Sequence, residues 1–198
     1  MVSSMRIFVV LAHPNADSFN AALCAALRDG LHDAGHEADV ADLYAEGFDP
    51  ALREPELRPP GASPLMRDVA DYQRRILRAH ALAFIHPVWW FGTPAMLKGF
   101  VYRVFREGFA FRFTASGQVR GLLHHRKALV ICTTGVTGSL YRLLHYGRPL
   151  TKTFDTWILK SCGVRQVKRI LLHDVVNADD ATRQGYLLRV RLLGRRYF

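Results

Sequence analysis

The sequence predicts an α/β fold in which five parallel strands lie in the order 2-1-3-4-5 with helices on both faces of the sheet. Three observations carry this. Short runs rich in branched and aromatic residues alternate along the 198-residue chain with longer segments of helical periodicity. The runs are apolar at nearly every position, as strands buried on both faces are. Small polar or aromatic segments fall where a strand hands over to a helix, which is where an open parallel sheet presents its ligand loops.

Arg6-Ile-Phe-Val-Val-Leu-Ala12 is the expected central first strand. Ser18 then caps a helix through about Ala34, with Phe19, Leu23, Ala26, Leu27 and Leu31 at helical spacing and Gly35 past its end. His36 to Leu43 reads as the second strand, and the prolines and mixed charges from Tyr44 to Ser63 as a long loop with a functional or subunit-contact role. Pro64 to Ala79 is the second helix and Ala81 to His86 the third strand. Pro94 sits in the first turn of the next helix, where its missing N–H does no harm; that helix is expected to reach about Glu107. Phe109 to Thr114 alternates as an exposed or edge strand, Ala115 to Arg126 is a basic excursion, and Lys127 to Cys132 is the fourth buried strand. A helix over Leu150 to Ser161, a fifth strand near Val164 to Val175 and a terminal helix from Ala178 complete the series. Such alternation implies right-handed crossovers. In the order 2-1-3-4-5, which is flavodoxin-like, the ends of the first, third and fourth strands border one crevice.

A hydrophobic fraction of 49% can build a sizeable core, and one domain spanning residues 1–198 is expected. The longest apolar run falls far short of the about 20 residues a bilayer span needs, so a soluble, cytoplasmic protein is expected. Cys24, Cys132 and Cys162 are odd in number and set in apolar segments, which reads as core packing and no metal site. The net charge of +10 suits phosphate-rich partners, whether nucleic acid, anionic membrane or dinucleotide. Arg183, Arg189, Arg191, Arg195 and Arg196 crowd an amphipathic terminal helix, read as the solvated face of a docked element.

The three loops divide the chemistry. A phosphate at the opening of the first helix would meet the helix's positive end and unpaired N–H groups, with Ser18, Asn20 and His13 adding polar contacts. An N-cap with a solvent-exposed turn histidine fits those residues equally. Neither Gly-x-x-x-x-Gly-Lys-Ser/Thr nor Gly-x-Gly-x-x-Gly follows the first strand, which argues against a triphosphatase and an ordinary dinucleotide site. Pro87, Trp89, Trp90, Phe91 and Pro94 offer a stiff apolar surface to a flat ring, or a lid over the core. Backbone N–H groups of Thr134, Gly135 and Val136 would stabilise negative charge at the edge of a reduced flavin, with Tyr141 as a further donor.

His13-Pro-x-x-x-Ser-Phe-Asn20, Pro87-x-Trp-Trp-Phe-Gly-x-Pro-Ala-x-Leu-Lys-Gly99, Arg103-Val-Phe105 with Gly108-Phe-Ala-Phe111, and Thr133-Thr-Gly-x-x-Gly-Ser-x-Tyr141 resemble the NAD(P)H:quinone oxidoreductases of the DT-diaphorase type. The resemblance runs in order from about residue 6 to 141. It implies a homodimeric flavoprotein that reduces quinones by two-electron hydride transfer from NADH or NADPH with ping-pong kinetics. His13, Ser18, Phe19 and Asn20 would then hold the flavin phosphates and ribityl chain, and Pro87, Val88, Trp90 and Phe91 would contact the ring. Thr133, Thr134, Gly135 and Val136 would bind the pyrimidine edge.

The sequence departs from the family at Tyr102, where an acidic residue is usual, and at His145, which stands closer to Tyr141 than the family's histidine. His145 is therefore either a relay partner of Tyr141 or a surface residue. A long C-terminal extension is absent, which leaves the adenine end of FAD few contacts; FAD is expected, with FMN the alternative. A different-class reading is a flavodoxin-like ancillary subunit of a potassium-efflux system with little or no turnover, its basic surface docked on a membrane protein. A nucleic-acid module is disfavoured by the three ligand loops.

Overall fold

The computed structural model describes residues 4–58, 60, 61, 66–143, 145 and 147–198. Five strands form one parallel sheet: β1 (Arg6–Leu11), β2 (Glu37–Asp42), β3 (Ala81–Pro87), β6 (Lys127–Thr133) and β7 (Gln166–Leu172), in the order β2-β1-β3-β6-β7. Phe84 lies between Val10 and Val130; β3 and β6 end level, Pro87 opposite Thr133, while β1 ends two residues earlier, with Leu11 opposite Ile85. The expected order of the five strands is observed.

Alternation along these strands divides the core. Phe8, Val10, Leu82, Phe84 and Val130 face one side, covered by α2 (Arg67–Arg78), α3 (Ala95–Val104) and the helix at Thr151–Lys160. Ile7, Val9, Leu11, Ile85 and Ile131 face the other, covered by α1 (Phe19–Asp33) and α6 (Asp180–Arg196). Gly30 of α1 lies against the backbone of Arg191, and Gly194 of α6 against that of Leu27 and Leu31. A Cβ at either position would overlap main chain, so these glycines set how closely the two helices cross. Arg191 ion-pairs with Asp33, and Arg183 donates to the carbonyls of Val175 and Ala178, which docks the basic terminal helix on the fold.

Several boundaries differ from expectation. Helix α3 stops at Val104, where Phe105 leaves helical backbone (φ −89°, ψ 52°), rather than continuing to Glu107. The basic excursion contains a strand, β5 (Val119–Gly121), paired antiparallel with β4 (Phe111–Phe113). The expected helix over Leu150 to Ser161 is a π-helix at Thr151–Lys160, preceded by the short turns α4 (Gly138–Leu143) and α5 (Gly147–Leu150). The Thr153 hydroxyl donates back to the Pro149 carbonyl at its start. The boundary at Ser63 and Pro64 lies outside the described residues.

Two buried polar clusters brace the sheet. Arg103, 1% exposed, donates to Glu56 at 2.9 Å, to Asp68 at 2.7 Å and to the Asp49 carbonyl at 2.6 Å, pinning the long loop and α2 onto α3. Under the ends of β3 and β6, His86 donates from Nδ1 to the Pro87 carbonyl (2.8 Å) and takes the Cys132 thiol on Nε2 (3.3 Å). Arg169 donates to the Cys132 sulfur and is held by Asp155 on the π-helix. Burial pushes the Cys132 thiol up to about 12 against the pull of Arg169, so it is a proton donor and not a thiolate. All three cysteines are free and buried.

Burial, aided by Arg169 and opposed by the Pro87 carbonyl, takes His86 down to about 3 from 6.5. The unfolded chain therefore binds a proton below its ordinary pKa that the folded chain refuses. Stability should fall as pH drops from about 6.5 towards 3, by about 1.4 kcal/mol per pH unit from this residue. Urea unfolding at stepped pH should show that slope, and His86→Gln should lose its share of it.

Candidate active site

The opening of α1 follows from its first turn. His13 Nδ1 accepts from Asn15 N (3.1 Å), Asn15 Oδ1 accepts from Asp17 N (2.8 Å), and Ser18 Oγ caps the helix by accepting from Ala21 N (3.2 Å). Phe19 and Asn20 occupy the first two helical positions, where N–H groups have no acceptor within the helix. They point out of the positive end of a fifteen-residue helix. His13 is occupied by its turn through Nδ1, which leaves Nε2 to face outward.

The second loop is a tight turn. Trp89 and Gly92 exchange backbone hydrogen bonds at 3.2 and 3.0 Å, and Trp90 and Phe91 between them adopt φ of 49° and 58°. Two consecutive left-handed residues make this the kind of turn that favours asparagine and glycine. Here it carries two large rings, with Trp90 98% exposed. Pro87 is buried as the last residue of β3, while Val88 and Phe91 are partly exposed.

The third loop is anchored by backbone pairing. Val88 N donates to Thr133 O (2.7 Å), Thr134 N to Leu172 O (2.9 Å), and Val136 N to the Thr134 hydroxyl (3.1 Å). Thr133 and Thr134 are buried; Gly135 is exposed, with room for only a small side chain because Val176 would lie 3.2 Å from a Cβ there.

The three loops meet. The His13 ring lies 5.8 Å from that of Trp89, and the buried Asn20 amide donates to the Thr133 hydroxyl at 3.0 Å. Asn20 and Thr133, both read from the sequence as ligand contacts, thus spend their side-chain polar atoms on each other. A fourth loop joins them, which the sequence reading did not include: Asp174 N donates to Val136 O and Val175 N to Thr134 O, placing His173 to Val176 beside the third loop. His173 and Val176 carry no short motif, and only their position at a strand end points to them.

Tyr141 is 4% exposed and its ring packs edge-on to His173 at 5.2 Å. Burial holds the Tyr141 phenol above its ordinary pKa, with the Cys132 thiol adding to the effect and Arg169 opposing it, so the hydroxyl keeps its proton. Burial holds His173 below the usual histidine value, and thus neutral. His145 is exposed, with φ of 53°, and lines one cavity with Tyr141. The histidine packed on the tyrosine is therefore His173, from a different strand.

These features fit a flavin: free N–H groups and a positive helix end for phosphate, an apolar wall for a ring, and the exposed Gly135 for a polar edge. Of the three N–H donors expected there, those of Thr134 and Val136 are already taken by the Leu172 carbonyl and the Thr134 hydroxyl, because the loop pairs with the end of β7 and folds on its own side chain. Among the described residues there is no cluster that could hold a metal, and no helix long and apolar enough to cross a membrane.

Comparison with known proteins gives the class. Residues 5–192 match a family defined by a flavodoxin-like fold. The chain belongs to this family and, within it, to the NAD(P)H:quinone oxidoreductases. A solved NAD(P)H:quinone oxidoreductase from Methanothermobacter marburgensis superposes with a TM-score of 0.91 at 33% identity, over 99% of this chain and 100% of that one. An NAD(P)H oxidoreductase of Haemophilus influenzae is 28% identical over 92% of this chain and 91% of its own length. The NAD(P)H dehydrogenase [quinone] 1 of Cavia porcellus is 36% identical over 72% of this chain, which spans 58% of that enzyme.

Left-handed backbone at a bulky residue costs about 1–2 kcal/mol. Trp90 has almost no packing to lose, so Trp90→Asn should raise stability by about 1 kcal/mol while weakening flavin retention. Thermal unfolding and flavin content of the purified variant check both parts.

Proposed function

We propose that this protein is a flavin-dependent NAD(P)H dehydrogenase that reduces quinones in the cytoplasm as a homodimer. The observation that carries the reading is the tie between loops: the Asn20–Thr133 hydrogen bond and the His13–Trp89 contact bring a phosphate-type cradle, an aromatic wall and the exposed Gly135 turn to one crevice. The flavin proposed is FAD, with FMN the alternative. When bound, it supplies the two-electron acceptance and release of hydride.

The chain's own residues supply position and charge. The N–H groups of Phe19 and Asn20, with Ser18 and His13 nearby, hold the phosphate end. Pro87, Val88, Trp90 and Phe91 support the ring and exclude water from one side. Thr133, Thr134, Gly135 and Val136 form the rim that meets the pyrimidine edge, and the protonated Tyr141 donates where negative charge develops. His145 shares the Tyr141 cavity and is the relay candidate in contact with solvent. Because one open face must serve both reductant and acceptor, each leaves before the other enters, and ping-pong kinetics follow.

An apolar groove of about 860 Å³ between α3, the β4–β5 hairpin and the π-helix supports the dimer. Its rim exposes Leu57, Tyr102, Phe113 and Trp157, each more than half accessible, a cluster of large apolar side chains that a second copy would cover.

Purified protein should oxidise NADPH or NADH in the presence of a small quinone and flavin, with parallel-line kinetics. Tyr141→Phe should keep its flavin and slow reduction by about 10- to 100-fold in stopped-flow measurements. A flavin-loaded protein with no turnover for several quinones would favour the ancillary-subunit reading instead.

A further inference from the structure

Beside Tyr141 lies a cavity of about 580 Å³ walled by Tyr141, Arg142, His145, Arg148, Thr151 and Lys152. Arg142, Arg148 and Lys152 are exposed, and among the described residues no carboxylate pairs with any of them. Elsewhere among the described residues nine arginines hold an acidic partner, Arg6, Arg75, Arg103 and Arg191 among them, and with 27 Lys and Arg against 17 Asp and Glu the chain leaves further cations unpaired on its surface. What distinguishes Arg142, Arg148 and Lys152 is that they line one concave wall, where the like charges repel one another and a bound anion would relieve that repulsion.

The backbone is arranged to bring them together. His145 N donates to Arg142 O at 3.1 Å and Arg148 N to His145 O at 3.1 Å, with His145 in left-handed backbone (φ 53°) between them. Left-handed backbone at a non-glycine residue persists where the surroundings demand it. The result is a cationic concavity whose inner wall is the buried face of Tyr141, next to the Thr134–Val136 rim. Tyr141 is thus common to this cavity and to the proposed active site.

We infer that this cavity receives a phosphate group of the reductant, and that Arg142, Arg148 and Lys152 make the protein select NADPH over NADH. The inference rests on the nicotinamide-dependent reading above. The two nucleotides differ only in the 2′-phosphate, a compact, highly charged group of the kind that arginine forks and a lysine ammonium bind by charge-assisted hydrogen bonds. An acceptor bearing a carboxylate or sulfonate would present similar chemistry, so the test separates the two sources.

Binding of adenosine 2′,5′-bisphosphate and of 5′-AMP to the flavin-loaded protein is measured by calorimetry for the wild type and for Arg142→Gln, Arg148→Gln and Lys152→Gln. For the same proteins kcat/KM is determined with NADPH and NADH against a neutral and an anionic quinone. The bisphosphate should bind the wild type about tenfold or more tightly than 5′-AMP. Each substitution should weaken bisphosphate binding and lower the NADPH:NADH ratio by about five- to tenfold, and added salt should shrink the preference. Circular dichroism checks that the variants, all at exposed positions, remain folded. Equal affinity for the two nucleotides in the wild type, or variants that lower NADPH and NADH alike, would overturn the inference. So would a loss confined to the anionic quinone, which assigns the cavity to the acceptor. A wild type that oxidises neither nucleotide defeats the dehydrogenase reading, and the bisphosphate titration still judges the cavity separately.

Discussion

Parallel pairing of β3 with both β1 and β6 governs the architecture of this crevice, because it brings the ends of three buried strands to one edge, β3 and β6 level and β1 two residues behind. Beyond those ends the backbone can no longer satisfy itself within the sheet, and every loop must find partners among the others. Val88 takes the Thr133 carbonyl, Thr134 takes that of Leu172, and Asn20 reaches across from α1 to the Thr133 hydroxyl. The crevice is thus a by-product of satisfying backbone groups, and what remains without a partner, the first-turn N–H groups of α1 and the exposed rim at Gly135, lies at its mouth.

Beneath this rim the interior is unusually polar. His86, Cys132, Arg169 and Asp155 form a connected chain of donors and acceptors in which each buried group has a partner, so the cluster stiffens the strand ends rather than destabilising them. The π-helix is what brings Asp155 into that chain. Arg103 plays a similar part further along the same face, tying Asp49 and Glu56 of the long loop and Asp68 of α2 to α3. Strain collects at the surface instead, in the Trp90-Phe91 turn and at His145. Rigid support below and strained display above are what a site for a flat, charged ligand requires.

The sheet was legible because strands buried on both faces read as unbroken apolar runs, and α1 because Ser18 and Gly35 mark its ends. Other features were not, for identifiable reasons. The β4–β5 hairpin escaped notice because Val119, Arg120 and Gly121 are too few and too mixed to show a period. The π-helix escaped because Phe154, Ile158 and Leu159 suit α-helical spacing equally well. Asn20 was read as a ligand contact from its place at a helix start, yet its amide is committed to Thr133 through a contact no local pattern encodes. His173 was missed in favour of His145, since packing against Tyr141 depends on β6 and β7 being neighbours. Arg103 appeared only as part of a family motif; its role emerges once Glu56 and Asp68, distant in sequence, close around it.

The most direct measurement is a titration of the flavin-free protein with FAD and with FMN, followed by quenching of flavin fluorescence and by the visible spectrum. The account predicts saturable binding of one flavin per chain, with altered absorption as the ring meets the Trp90 and Phe91 wall. A protein that leaves the fluorescence and spectrum of both flavins unchanged would contradict it.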